Sequence, residues 1–92
     1  MVDRSILLKE LRISCDPDFG MCLELFSWDH LDYIEDILAE YFDIEYEFKI
    51  QDSENSRYAL LFGNSVEESI LENALLAINR YHAYSRQLYV TM

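Results

Sequence analysis

A chain of 92 residues, 51% hydrophobic and 14% aromatic, has room for one folded domain over residues 1–92 and none for a second core. That aromatic content excludes a disordered acidic tail. Eighteen acids against seven bases leave a formal net charge of −11, which argues against direct binding to nucleic acid or an anionic membrane and favours a basic protein partner.

No apolar run approaches the roughly 20 residues that span a bilayer. The opening MVDRSILLKEL has charges within its apolar part and no small-residue cleavage site, so it does not read as a signal peptide. A cytoplasmic location is the expectation. With only two glycines and one proline, regular elements should dominate.

SILLKEL could open a helix, but Leu11, Ile13 and Cys15 alternate with Arg12, Ser14 and Asp16, the period of a half-buried strand. Asp16-Pro17-Asp18-Phe19-Gly20 is turn chemistry, and Met21 to Phe26 is the returning strand. A five-residue loop pairs Cys15 with Met21, Ile13 with Leu23 and Leu11 with Leu25, like with like. It also sets Arg12 opposite Glu24.

Ser27 or Asp29 caps a helix running to about Phe42. At about 100° per residue, Leu31, Ile34, Ile37, Leu38, Tyr41 and Phe42 share one arc. Asp29, Asp32, Asp36 and Glu40 lie opposite, with Tyr33 among them. Asp43 to Gln51 then alternates: Ile44, Tyr46, Phe48 and Ile50 towards the core, Glu45, Glu47, Lys49 and Gln51 away. A loop over residues 52–56 pairs Ile50 with Tyr58, Phe48 with Leu60 and Tyr46 with Phe62. Ala59 and Leu61 fall on the polar side, so part of that face should be covered.

Ser65 is a good N-cap for a second helix from about Val66 to Tyr84, with Glu68 completing a capping box. Its stripe is Ile70, Leu71, Ala74, Leu75, Ile78 and Tyr81, with Leu76 pointing away. Residues 87–91 could add a short edge strand. The order is ββαββα, an α+β two-layer sandwich: a four-stranded, mostly antiparallel sheet with two helices on one face.

Few residues carry chemistry. Cys15 and Cys22 fall on opposite faces of the hairpin and read as buried thiols, not a disulfide. His30 and His82 show no ligand spacing with them, and Asp16 and Asp18 lack the later ligands of a calcium loop. No nucleophile or phosphate-binding motif is present. The sequence therefore calls for no enzyme activity, no metal and no cofactor.

What remains is the acidic surface. Asp32, Asp36 and Glu40 form like-charge i, i+4 pairs that each cost a few tenths of a kcal/mol, so local stability did not choose them. Asp29, Asp32, Tyr33, Asp36 and Glu40, with Trp28 at the helix entry and Glu45 and Glu47 on the following strand, are the candidate partner-binding residues. Carboxylates steer association and Tyr and Trp often anchor interfaces. The expected function is a small inhibitor, of the immunity or antitoxin kind, that neutralises a basic nuclease, toxin or nucleic-acid-binding complex. The alternative is a homodimerising assembly or adaptor subunit using Leu76, Leu61, Ala59 and the tail around Leu88–Val90.

Overall fold

The computed structural model describes residues 10–90. The first hairpin consists of β1 (Ser14–Asp16) and β2 (Gly20–Leu25). Asp16 organises its turn: Oδ1 accepts from the backbone N–H groups of Asp18 at 2.9 Å and Phe19 at 3.1 Å. Cys15 pairs with Met21, the expected register. The strand is shorter than the alternation implied, and Leu11 and Ile13 lie before it; residues 6–9 lie outside the described residues. Leu11 has a different backbone partner, the Asn79 side chain, whose Oδ1 accepts from its N–H at 2.8 Å and whose Nδ2 donates to its carbonyl at 3.0 Å. Arg12 pairs with Glu10, not with Glu24.

Helix α1 (Trp28–Phe42) starts at the first of the two caps the sequence offered, Ser27 and not Asp29, with Ser27 Oγ accepting from His30 N–H at 3.1 Å. It stops at Asp43, whose φ of 54° is left-handed, with Ile44 N–H donating back to the Leu38 carbonyl at 2.9 Å. Leu31, Ile34, Ile37 and Leu38 are fully buried, worth about 1.5–3 kcal/mol each. That outweighs the tenths lost to each like-charge pair on the outer side, so the helix tolerates its acids.

The second hairpin, β3 (Phe48–Asp52) and β4 (Arg57–Leu61), corrects the expected register by one residue. Phe48 pairs with Leu61, Lys49 with Leu60 and Ile50 with Ala59. Glu47 N–H also donates to the Leu61 carbonyl at 2.8 Å, so Glu47 and Phe48 both oppose Leu61, the two-against-one count of a β-bulge. The extra residue inverts the alternation. Ile44 is buried and Tyr46 packs on the core as expected, but Lys49 turns to the helix side. Phe48 turns outward, 56% exposed, beside Phe19 at a ring separation of 5.6 Å. On that outer face Cys22, Ala59 and Leu61 are buried. Its polar tie is Arg57, which donates to Asp16 Oδ2 at 2.9 Å and Glu24 Oε1 at 3.0 Å.

The strand order is β1-β2-β4-β3, antiparallel at every neighbouring pair. Chain leaving central β2 therefore passes through α1, crosses β4 and enters edge strand β3. Helix α2 (Glu68–Ser85) begins later than expected. Ser65 is not its cap, because its hydroxyl donates to the Glu45 carbonyl at 2.9 Å. Leu71, Ala74, Leu75 and Ile78 join Leu23, Leu25, Leu60, Phe62 and the α1 residues in one core, which puts both helices on one sheet face. Ile70, expected in the stripe, is 50% exposed. Residues 86–90 are not a strand; Thr91 lies outside the described residues. Among the described residues no helix is long and apolar enough to cross a membrane.

Candidate partner-binding face

Four carboxylates project from α1 at steps of three and four residues. Asp29, Asp32 and Glu40 are exposed and Asp36 is half-buried. Partial burial pushes the Asp36 carboxyl above its ordinary range, and the charges of Asp32, Glu40 and Glu35 push it further. Among the described residues Asp29, Asp32 and Asp36 form no ion pair. The nearby base is Lys49, which the bulge turned to this side, and Glu35 holds it. Lys49 Nζ donates to Glu35 Oε2 at 2.9 Å and the Tyr46 hydroxyl donates to Oε1 at 2.9 Å. That pairing raises the lysine pKa, and burial followed by Glu35 raises that of Tyr46.

Glu45 joins the ridge. Between α1 and residues 44–46 lies a cleft of about 360 Å³, with Glu35, Asp36 and Glu45 among its walls and Ala39, Ile44 and Tyr46 beside them. Glu47 does not line it. The Glu47 carboxylate lies instead against Gly63, whose φ is +52° and where a Cβ would strike it. Trp28 is 59% exposed at the first position of α1. Twelve residues separate it from Glu40, about 18 Å of helix, so it flanks the Asp29 end alone.

Tyr33 does not belong to this face. It is 4% exposed; its hydroxyl lies 2.8 Å from His82 Nε2 and accepts the Tyr89 N–H at 2.7 Å. The wheel placed it among the acids because it could not show residues 86–90 returning over α1. Glu35, Tyr46 and Lys49 are the residues that sequence reasoning missed. Their juxtaposition depends on the bulge, which has no signature in the alternation of Ile44, Tyr46, Phe48 and Ile50.

The remaining candidates have structural roles. Asp16 has both oxygens engaged, and its Arg57 partner, helped by the turn N–H groups, holds its carboxyl below the usual range. His30 is buried and packs at a tilt against Phe26, with a ring separation of 4.8 Å. Cys22 is a buried free thiol; Cys15, expected to be buried, is exposed because β1 is an edge strand. Among the described residues no three His, Cys, Asp or Glu side chains converge as metal ligands. Of the apolar alternative, Ala59 and Leu61 are buried while Leu76 and Val90 are 54% and 79% exposed. Comparison with family models, curated proteins and solved structures gave no match to this chain.

Proposed function

We propose that this is a non-catalytic, acidic protein-binding module that neutralises a basic partner, a nuclease, toxin or nucleic-acid-binding complex, in the manner of an immunity protein or antitoxin. The observation that carries this reading is the crowding on α1. Asp29, Asp32, Asp36 and Glu40 line one face, the nearby lysine is committed to Glu35, and Asp36 is held in a partly desolvated position among like charges. A cationic surface would relieve that repulsion and gain orientation from it. The reading places the protein in the cytoplasm, where its two free thiols would stay reduced.

The test is retention of basic proteins on the immobilised protein, compared with an Asp29→Lys/Asp32→Lys/Glu40→Lys variant. Retention should fall in the variant and should be lost for the wild type between about 0.05 and 0.5 M salt, where screening lengths shrink to a few Å. A partner held equally by both proteins across that range would remove the electrostatic reading.

A second reading, a homodimer or adaptor contact, is favoured by the outward Phe19–Phe48 pair, 49% and 56% exposed. Sedimentation separates the two: a dimer that Phe48→Ser dissociates would support it, and a monomer at all concentrations would not.

A further inference from the structure

We infer that the cleft between α1 and residues 44–46 receives one long cationic side chain, an arginine or lysine, presented by the basic partner. This rests on the proposed function and assigns one contact within it.

The cleft has the two surfaces such a side chain needs. Ala39, Ile44 and the Tyr46 ring supply apolar wall, and Asp36 and Glu45 supply carboxylates. A basic residue lays its methylenes on the first while its head meets the second. The same structure already shows one cation held this way. Lys49 Nζ sits 2.9 Å from Glu35 and 5.8 Å from the centre of the Tyr46 ring, a carboxylate and an aromatic ring acting on one ammonium. Glu35 and Tyr46 also belong to the cleft. Among the described residues Asp36 and Glu45 form no ion pair, so of the three carboxylates that line the cleft only Glu35 has a lysine partner. Its position is secured from outside: Ser65 Oγ bonds the Glu45 carbonyl, and Ile44 N–H closes the end of α1. The walls are thus preorganised, which lowers the ordering cost of binding.

The test is an NMR titration of the full chain at low salt with Nα-acetyl-arginine amide, using Nα-acetyl-citrulline amide as the uncharged isostere. The expected result is saturable, arginine-specific shifts of the Ala39, Ile44, Glu45 and Tyr46 amides, weakened about threefold or more by either Asp36→Asn or Glu45→Gln, the scale of a partly exposed charge pair. Equal shifts with citrulline, no saturable shift, or binding indifferent to both variants would overturn the assignment. Arginine shifts confined to Asp29, Asp32 and Glu40 would also overturn it, while leaving the ridge reading intact. That wider reading fails on different grounds, the retention of basic proteins by the triple charge-reversed variant.

Discussion

The Tyr33 hydroxyl lies 2.8 Å from Nε2 of His82, joining the middle of α1 to the last turn of α2 across 49 residues of chain. Because the Tyr33 oxygen already accepts the Tyr89 N–H at 2.7 Å, its own proton is best satisfied by donation to Nε2. The histidine proton then sits on Nδ1, which is buried and has no hydrogen-bond partner among the described residues. Tyr81 and Tyr89 close over the pair, with Tyr89 edge-on to His82 at 5.9 Å between ring centres.

This arrangement makes stability depend on pH with a definite sign. Burial holds the His82 pKa below its ordinary 6.5. The unfolded chain therefore takes up a proton at higher pH than the folded one, and the fold loses stability as pH falls below about 6.5 towards the folded value. His82→Gln removes that slope. The stability advantage of wild type over the variant in urea melts should be smaller at about pH 5 than at about pH 7.5. An advantage of equal size at both would mean that folding leaves the His82 pKa unshifted.

Tyr33→Phe deletes one hydroxyl and strands the buried His82 Nε2 and the half-buried Tyr89 N–H. Stranded buried polar groups cost about 1–3 kcal/mol, and the loss should appear as a lower urea midpoint with unchanged slope. Amide exchange should accelerate first in residues 86–90, which the Tyr41 hydroxyl also ties to α1 by donating to the Val90 carbonyl at 2.6 Å. Desolvation, the largest influence, raises the phenol of Tyr33 to about 12. Its ionisation should therefore be missing from a spectrophotometric titration at pH 10–11, where exposed tyrosines ionise.

The β3 register can be tested by two truncations. If the alternation from Ile44 continued unbroken, Phe48 would be core, and Phe→Ala at such a site costs about 3–5 kcal/mol. Since Phe48 is 56% exposed, Phe48→Ala should cost less than about 1.5 kcal/mol, within the ordinary range for half-exposed positions. Leu60→Ala, at a fully buried residue of β4, should cost about 2–5 kcal/mol. Comparable losses in chemical denaturation would contradict the slipped register.

Gly63 supplies two things at once, a left-handed backbone and room for Glu47. Gly63→Ala should destabilise by about 1–2 kcal/mol from the backbone alone, with an added steric part. Introducing Glu47→Ala should recover only the steric part, so in a double-mutant cycle the double variant will be less destabilised than the sum of the two single losses. Complete recovery would mean that the backbone conformation at residue 63 carries no cost.

Much of the molecule was legible without coordinates because local rules sufficed. Ser27 capped its helix, Asp16 made its turn, the Cys15–Met21 register followed from matching apolar residues, and the apolar stripes of both helices mostly found the core. The ββαββα order came from the same patterns. The acidic row on α1 was also legible, since helical spacing alone sets Asp29, Asp32, Asp36 and Glu40 on one side.

Tertiary structure decided the rest. A bulge at Glu47 reversed the faces of β3, because one inserted residue outweighs any alternation pattern that follows it. Returning chain at residues 86–90 took Tyr33 from the surface, since a helical wheel knows its own helix and not what crosses it. The β1-β2-β4-β3 order, which follows from α1 carrying the chain across β4, placed β3 at an edge. That placement brought Glu45 to Asp36 and Lys49 to Glu35. A charge row can be read from spacing, but a cleft needs two segments to meet, and only the packed core fixes where they do.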